Sequence, residues 1–363
     1  MTDAPRLPRP RADLEAFTPY RTQQMRADVR LQANEWAEPN PATAYLSAEE
    51  LGGVLLNRYP GALTELREAL AERWRVGPDQ LIFGNGSNEV LLNTFLLFGG
   101  HGRTTLLFQP TYSMHARLTI VAGGTVAEEL IGLPYELTPR RAFEAVRRVR
   151  PDIVVFTSPN NPTGTLIADD AILPVAENYP ETLVLVDEAY AEFSGTTLLP
   201  ALPEHPNLVL SKTFSKVRAA AGLRLGVLIA HPRLAESYRA VQLPYNVGAL
   251  TLAVAARIAK DDTSVVKRVA LLQVERARVY RALREVKRIE VYPSETNFLL
   301  FRVDDGDAAG WHARFLEHGV LIRDISSWPA CAGCLRVSIG TPAENDRFIA
   351  AVEKVFAPSA ARA

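Results

Sequence analysis

Short apolar runs that end in polar or turn residues alternate along this chain with amphipathic segments. Runs of consecutive apolar residues are typical of strands buried on both faces, and such runs occur in TTLLF, DIVVF, TLVLVD, NLVLSKTFSK and RLGVLIA. The segment ALTELREALAERW repeats apolar residues at helical spacing, and QLIFGNGSNEVLLNTFLLF has the pattern of a strand, a Gly-rich turn and a helix. The pattern predicts an α/β fold whose parallel sheet is covered by helices on both sides.

The order of these elements predicts two domains. We assign residues 48–246 to a large domain built on the parallel sheet and residues 247–363 to a smaller α+β domain. The smaller domain begins with a long helical stretch, residues 250–287, and continues with the shorter strands of NFLLFR, GVLIRD and LRVSIG. Residues 1–47 are rich in Pro, Arg and Asn, and we expect them to form an arm that completes part of the smaller domain.

The composition narrows the choice of partners. The 363 residues are 47% hydrophobic and 22% charged, with 40 basic against 41 acidic side chains. A net charge of −1 creates no field that would attract nucleic acid or an anionic membrane. The N-terminal segment lacks the apolar stretch of a signal peptide, and no apolar run of about eighteen residues could span a membrane. We therefore expect a cytoplasmic protein that acts on small molecules.

Cys331 and Cys334 are the two cysteines of the chain. Their CxxC spacing supplies half of a structural zinc site, and no second pair of Cys or His residues completes it. We interpret them as reduced thiols in a turn, and we expect no metal site.

Polar residues directly after the apolar runs are the candidates for chemistry, because ligands of open α/β sheets bind beyond the carboxyl ends of the strands. GNGSNE places Ser87 and Asn88 at a helix start, where free N–H groups can hold a phosphate, although a capped helix start explains the pattern equally well. TSPNNPTG presents the amide of Asn161. Asp187 ends a wholly apolar strand, where a carboxylate needs a cation beside it, and Tyr190 follows three residues later.

The segment TFSKVRAAAGLRLG surrounds a lysine with small and hydroxyl residues. Lys216 follows Thr213 and Ser215 and precedes Arg224 by eight residues, so it lies within a cluster of anion donors. Lys212 only precedes that cluster, and we expect it to be an exposed lysine. A lysine amine, a buried carboxylate and a phosphate cradle are the set that pyridoxal 5′-phosphate requires. The fingerprint of a nicotinamide site, GxGxxG, is not matched by GNGSNE.

With these motifs the chain resembles the histidinol-phosphate aminotransferase family of fold-type I, pyridoxal phosphate-dependent transferases. SPNNPTG, VDEAY and SK followed by GLRLG carry the resemblance to the fold and cofactor, and LNRYP, SETNF, IRD and GCLRVSIGT follow in the family's order. The resemblance implies a large domain with a mostly parallel seven-stranded sheet and a smaller α+β domain.

The resemblance also implies roles for individual residues. Lys216 would form the internal aldimine and Asp187 would pair with the pyridine nitrogen, while Asn161 and Tyr190 would bind the ring's phenolic oxygen. Tyr112 of QPTYSMH would stack on the ring. The cofactor phosphate would be held by Ser87, Asn88, Thr213, Ser215 and Arg224, with Tyr59 of NRYPG reaching it from the neighbouring subunit of a homodimer.

A substrate-anion site is implied for Arg323 and Arg336, with Tyr20 and Asn34 nearby in the arm. The planar fork of Arg suits both carboxylate and phosphate, so one site would accept glutamate and a phosphate ester. The chain departs from the family at Asn88, where Asp is usual, at Arg218, where an aromatic residue is common, and around Trp36.

The implied reaction is transamination between L-glutamate and imidazole-acetol phosphate, which yields L-histidinol phosphate in histidine biosynthesis. Within the same fold and cofactor, the alternatives are an aromatic or broad-range aminotransferase and a decarboxylase of phosphorylated amino acids. A non-catalytic pyridoxal phosphate sensor is a third alternative, although such proteins usually carry a basic DNA-binding module that this sequence lacks.

Overall fold

The computed structural model describes residues 9–15, 17–19, 25–61 and 63–357. Its strands are β1 (Val29–Arg30), β2 (Leu81–Asn85), β3 (Thr104–Gln109), β4 (Thr125–Leu130), β5 (Ile153–Thr157), β6 (Leu183–Asp187), β7 (Leu208–Thr213), β8 (Leu225–Ile229), β9 (Ile289–Val291), β10 (Phe298–Val303), β11 (Val320–Leu321), β12 (Arg323–Asp324) and β13 (Cys334–Ser338). Its α-helices are α1 (Ala48–Gly52), α2 (Thr64–Trp74), α3 (Ser87–Phe98), α4 (Met114–Val121), α5 (Pro139–Val149), α6 (Asp169–Asn178), α7 (Ala191–Ser194), α8 (Pro232–Val241), α9 (Ala249–Ala259), α10 (Asp262–Arg284), α11 (Ala308–Glu317) and α12 (Pro342–Val355).

A seven-stranded sheet forms the larger part of the molecule, in the order β2-β8-β7-β6-β5-β3-β4. Neighbouring strands from β4 to β7 are parallel, whereas β8 is antiparallel to both β7 and β2. The predicted mostly parallel sheet is therefore confirmed. Within this sheet, the sequence analysis missed β4, because this edge strand is largely exposed and reads TVAEEL, without an apolar run.

Alternate side chains of the central strands pack into two hydrophobic cores on opposite faces of the sheet. In β5, Val154 and Phe156 belong to one core, and Ile153 and Val155 belong to the other. This two-sided burial explains the continuous apolar runs in the sequence. It also leaves polar side chains at the carboxyl ends of the strands, where Thr157 of β5 lies beside Asp187 of β6.

A four-stranded antiparallel sheet in the order β12-β13-β10-β9 forms the smaller part. The arm belongs to this smaller part of the molecule, because β1 pairs in parallel with β11 and because Val29 and Leu31 pack into the same core as Phe298 and Phe315. Thus the N-terminal segment and the C-terminal strands share one hydrophobic core.

The long helical stretch predicted at residues 250–287 consists of two helices. α9 ends at Ala259, and the side chain of Asp261 caps the start of α10 by accepting a hydrogen bond from the N–H of Ser264 at 3.0 Å. A capping Asp ends one helix pattern and starts another. None of the helices in the described ranges is long and apolar enough to cross a membrane.

Candidate active site

A cavity of about 450 Å³ lies at the carboxyl ends of β5, β6 and β7, between the large sheet and the strands β1, β12 and β13. Most of the residues predicted to form a site line it together. They are Asn34, Ser87, Asn88, Tyr112, Asn161, Asp187, Tyr190, Thr213, Ser215, Lys216, Arg224, Arg323 and Arg336. Residues that are far apart in sequence therefore meet where the fold predicts a ligand.

Lys216 follows β7 and points into this cavity. Its Nζ donates hydrogen bonds to the backbone carbonyl oxygens of Asn34, at 3.0 Å, and Ala33, at 3.4 Å, and it lies 5.6 Å from the centroid of the Tyr190 ring. Both carbonyls belong to the arm. The amine is thus held by backbone acceptors and has no carboxylate partner among the described residues.

The prediction that Lys212 is an exposed lysine is wrong. Lys212 is 6% exposed, and its Nζ forms an ion pair with Glu188, whose carboxylate also accepts hydrogen bonds from Thr197 and from the N–H of Leu198. Lys212 lies within β7, whose every residue is buried, and alternation sends its side chain into the core beneath the sheet rather than to solvent. A buried cation needs such a partner.

Asp187 ends β6 and is 3% exposed. Its Oδ1 accepts a hydrogen bond from the N–H of Ala189 at 3.1 Å, and its Oδ2 lies 3.1 Å from Nε2 of His115. Because a carboxylate only accepts hydrogen bonds, Nε2 of His115 carries the proton. The carboxylate is therefore fixed in orientation by two donors.

His115 is a residue that sequence analysis missed. Its ring is fully buried and lies edge-on to the ring of Tyr112, with centroids 5.5 Å apart. The signal was available in QPTYSMH, because His115 follows Tyr112 by three residues and lies in the first turn of the helix that follows β3.

Asn161 and Tyr190 face the cavity and are held by residues of the smaller part. Nη1 of Arg336 donates to Oδ1 of Asn161 at 2.5 Å, and Nδ2 of Asn34 donates to the hydroxyl of Tyr190 at 2.9 Å. Asn34 has a positive φ of 54° and exchanges two further hydrogen bonds with Ser338 of β13. These bonds join the two sheets across the cavity.

A group of hydrogen-bond donors surrounds the start of α3. No side chain of the described residues caps this helix at Ser87, so its first N–H groups are available to an anion. The hydroxyl of Thr213 donates to that of Ser215 at 3.0 Å, and Nη1 of Arg224 lies 3.5 Å from the Ser215 hydroxyl. An added Cβ at Gly86 would lie 2.4 Å from Nη2 of Arg224, so glycine there allows the guanidinium to approach the helix start.

Three arginines line the other side of the cavity. Arg323 of β12 and Arg336 of β13 are directly opposite each other on antiparallel strands, and Arg30 of β1 lines the same wall. Arg336 bonds Asn161 and the carbonyl of Gln32, whereas Arg30 and Arg323 have no hydrogen-bond or ion-pair partner among the described residues. Like charges facing each other across strands are destabilising, so this wall favours an anionic ligand.

The predicted positions Asn88, Tyr59 and Tyr20 differ in their relation to the cavity. The hydroxyl of Tyr112 donates to Oδ1 of Asn88 at 3.2 Å, so the departure Asn88 is engaged within the cavity. Tyr59 does not line the cavity of its own chain; it is 79% exposed and stacks on Tyr245 with centroids 4.4 Å apart. Tyr20 lies outside the described residues.

The other two departures have structural partners outside the cavity. The guanidinium of Arg218 is buried, pairs with Glu192 at 3.1 Å and donates to the carbonyl of Ile258 in α9 at 3.0 Å. Trp36 packs against the core of the smaller part, with the guanidinium of Arg268 5.8 Å from its ring. Arg218 therefore ties the loop that carries Lys216 to α7 and α9.

Cys331 and Cys334 are free thiols, and a backbone hydrogen bond of 2.9 Å closes the turn between them, in agreement with the sequence interpretation. Both are buried. A hydrogen bond from Cys331 lowers the pKa of Cys334 to about 6 despite burial, with Tyr135 and Arg302 acting in the same direction. Within the described ranges, no group of three His, Cys, Asp or Glu side chains could hold a metal ion.

The profile described as aminotransferase class I and II matches residues 26–352 of this chain. The chain belongs to this aminotransferase family. It is 40% identical to the histidinol-phosphate aminotransferase of Corynebacterium glutamicum (strain R), over 95% of this chain and 96% of the relative. It is 38% identical to the protein of that name from Streptomyces avermitilis, with the same coverages.

Solved aminotransferase structures share the fold. The histidinol-phosphate aminotransferase from Clostridium acetobutylicum matches with a TM-score of 0.83 at 20% identity, over 90% of this chain and 98% of that one. The enzyme of that name from Sinorhizobium meliloti, solved in complex with pyridoxal 5′-phosphate, also gives 0.83, at 22% identity and 91% coverage of both chains. The L-threonine-O-3-phosphate decarboxylase from Porphyromonas gingivalis gives 0.79 at 24% identity, over 90% and 98%.

The residues around the cavity of this aminotransferase fit pyridoxal 5′-phosphate. The uncapped start of α3, the hydroxyls of Thr213 and Ser215 and the guanidinium of Arg224 provide donors for a phosphate. The fixed carboxylate of Asp187 suits a protonated ring nitrogen, and the Lys216 amine opens to the same cavity.

Proposed function

We propose that this chain catalyses pyridoxal phosphate-dependent transamination between L-glutamate or 2-oxoglutarate and imidazole-acetol phosphate or L-histidinol phosphate, the histidinol-phosphate aminotransferase step of histidine biosynthesis. The observation that carries the proposal is the convergence, in one cavity, of Lys216, Asp187, the donors around the start of α3 and the guanidiniums of Arg30 and Arg323, which have no partner among the described residues. The curated relatives that are 38–40% identical bear this name. We also propose a cytoplasmic location, which cell fractionation would test.

Each residue of the cofactor side has a proposed role. When bound, pyridoxal 5′-phosphate supplies an aldehyde that takes up the amino group and a ring that takes up electrons. Lys216 would hold the cofactor covalently, Asp187 would keep its ring nitrogen protonated, and Asn161 and Tyr190 would donate to its phenolic oxygen. Tyr112 would stack on the ring, and Ser87, Asn88, Thr213, Ser215 and Arg224 would bind the phosphate.

The amine of Lys216 is also the proposed acid and base. With the cofactor bound, this amine would act as a base that takes the proton from the substrate's α-carbon, and then as an acid that delivers it to the cofactor's aldehyde carbon. The hydrogen bonds of its Nζ to the carbonyls of Ala33 and Asn34 would position it between these transfers. His115 would keep the Asp187 carboxylate oriented meanwhile.

The wall of Arg30, Arg323 and Arg336 would bind the substrate anion, with Asn34 beside it; the resemblance assigns Tyr20 to the same task. A phosphate dianion and a glutamate carboxylate each present two oxygen atoms that one guanidinium can bind through two parallel hydrogen bonds. Arg30 joins this group because it shares the cavity and has no partner among the described residues. Arg336 would contribute through a position already fixed by Asn161.

A homodimer in which Tyr59 reaches the partner's cofactor phosphate is part of the proposal. Tyr59 stacks on Tyr245, both rings are exposed, and Leu55, Leu56 and Leu243 are exposed at neighbouring positions of the sequence; exposed apolar surface commonly marks interfaces. Mixing Tyr59→Ala with Lys216→Ala subunits tests it, since a hybrid dimer contains one intact site and recovers activity. If the mixture is no more active than its content of Tyr59→Ala subunits accounts for, with hybrids shown by mass, Tyr59 acts within its own subunit.

The reaction itself is tested by comparing kcat/KM for imidazole-acetol phosphate and phenylpyruvate with glutamate as donor, while release of CO₂ is measured. We expect a preference for the phosphate ester of about 100-fold or more, which a site with charged donors provides, and no CO₂. A preference for phenylpyruvate would favour an aromatic aminotransferase, and CO₂ release from a phosphorylated amino acid would favour the decarboxylase.

A further inference from the structure

The arm segment at residues 29–34 presents alternate residues to two different surroundings. Val29 and Leu31 belong to the core of the smaller part, while Arg30, Gln32 and Asn34 line the cavity. This is the alternation of an extended strand with one face on a core and the other on a ligand space. The segment therefore forms an ordered wall of the site, and Gln32 is the middle one of the three residues that face the cavity.

The backbone of Gln32 is held by a hydrogen bond, but its side-chain amide has no partner among the described residues. Its side chain is 8% exposed, and its backbone carbonyl accepts a hydrogen bond from Nη2 of Arg336 at 3.1 Å. The terminal amide makes no hydrogen bond to any described residue, and its Oε1 is enclosed without a partner. Because a buried amide without a partner destabilises the protein, its retention at the cavity points to a ligand that completes it.

The two ends of the proposed substrate differ in what they offer such an amide. The phosphate carries only acceptors and suits the guanidiniums of Arg30 and Arg323. The imidazole ring carries one N–H donor and one nitrogen acceptor, which matches a primary amide with one carbonyl oxygen and one NH₂ group. A phenyl ring offers neither.

We propose that Gln32 is a specificity-determining residue that hydrogen-bonds the imidazole ring of L-histidinol phosphate and of its keto partner. This assignment rests on the proposed function. A site built to hydrogen-bond a polar group discriminates strongly against an analogue that lacks it, because its own polar group is then left unpaired. Gln32 selects imidazole over phenyl, and the arginines select phosphate.

The test compares L-histidinol phosphate with L-phenylalaninol phosphate, which differ only in the ring. Gln32→Met keeps the unbranched shape and removes the amide, and Gln32→Leu repeats the test with a second apolar side chain. We expect kcat/KM for L-histidinol phosphate to fall by about 10- to 100-fold, mostly through KM, and the value for the phenyl analogue to stay within about twofold or to rise. Calorimetric titration of the holoenzyme should show the same fold-change in Kd. Gln273→Leu, at an exposed position of α10, is the matched control and should change neither.

The outcomes separate this assignment from the function on which it rests. Equal losses for both ring types, or an equal loss in the glutamate half-reaction, would overturn the assignment, because Gln32 would then act only by packing or by holding Arg336. Unchanged discrimination would overturn it as well. Failure of the unmutated holoenzyme to turn over L-histidinol phosphate would overturn the proposed function, and this assignment with it.

Discussion

The two walls of the cavity differ in how their polar groups are satisfied. On the sheet wall, formed by Asp187, Asn161 and Tyr190, each group has a hydrogen-bond partner within the described protein. The opposite wall, called the arm wall here, is formed by Arg30 and Gln32 of the arm and by Arg323 of β12. These side chains have no hydrogen-bond partner among the described residues, although they line the same cavity. Groups with one fixed task are oriented in advance, whereas groups that bind an exchanging ligand are left open to it.

The largest effect is expected for the amine on the sheet side. Lys216→Ala should reduce turnover by about 1,000-fold or more, since it removes both the covalent anchor and the proton carrier. Borohydride treatment should no longer fix the cofactor to the chain, while circular dichroism stays unchanged. Lys267→Ala, at an exposed position of α10, is the control. Normal turnover by the Lys216 variant would place the chemistry elsewhere and remove the basis of the comparison.

The stability of the sheet side depends on the buried pair of Lys212 and Glu188. Lys212→Met leaves the Glu188 carboxylate buried without its cation and should lower the free energy of unfolding by about 3–5 kcal/mol, measured by urea denaturation. The double variant Lys212→Met, Glu188→Leu should recover most of this loss, because no unpaired charge remains. A loss below about 1 kcal/mol would mean that water reaches the carboxylate.

On the arm wall the expected effects are on binding rather than on stability. Arg323→Ala should raise KM for L-histidinol phosphate by about 10- to 100-fold, as the loss of a charge-assisted bond does, without a lower melting temperature. Arg336 should behave differently, because it is bonded to Asn161 of the sheet wall: Arg336→Ala should also raise KM but should destabilise the protein, since Asn161 and the carbonyl of Gln32 lose their donor. Arg347→Ala, which removes a surface pair with Asp28, is the control. Equal destabilisation by both variants would break the contrast between the walls.

The smallest effect is expected at the phosphate cradle. In Gly86→Ala the new Cβ lies 2.4 Å from Nη2 of Arg224 at a φ of +82°, so the guanidinium must withdraw. We expect the Kd for pyridoxal 5′-phosphate to rise by about tenfold, in line with the loss of one charged contact, measured by absorbance titration. Gly132→Ala, where a Cβ meets nothing within 4 Å, should bind normally. An unchanged Kd at position 86 would mean that Arg224 is dispensable to the cradle.

The sequence was sufficient for most of the large sheet and for the residues at its carboxyl ends. Strands buried on both faces leave continuous apolar runs, and the polar residues that end them, such as Asp187 and Lys216, fall at one edge of a parallel sheet. The sequence analysis did not predict β4, because this exposed edge strand has no apolar run. The sequence analysis also did not predict the helix boundary near Asp261, because periodicity alone does not reveal a cap within a long helical pattern.

Side-chain pairing was less accessible to sequence reasoning. The burial of Lys212 depends on Glu188, 24 residues away, and the fixed position of Arg336 depends on Asn161, 175 residues away. Such contacts follow from topology rather than from local pattern. Arg30 and Gln32 could have been found, because VRLQ alternates apolar and polar residues as a half-buried strand does.

Arg336 connects three parts of the chain. It lies in β13, and its guanidinium donates to Asn161 in the loop after β5 and to the carbonyl of Gln32 in the arm. Pulling the smaller sheet away from the larger one would break both of these bonds together. We therefore expect small molecules to enter and leave at the rim of the cavity, where residues 30, 33 and 35 are exposed, rather than by separation of the two sheets behind β13. The rate of product release would then depend on how quickly the side chains at the rim dissociate from the product.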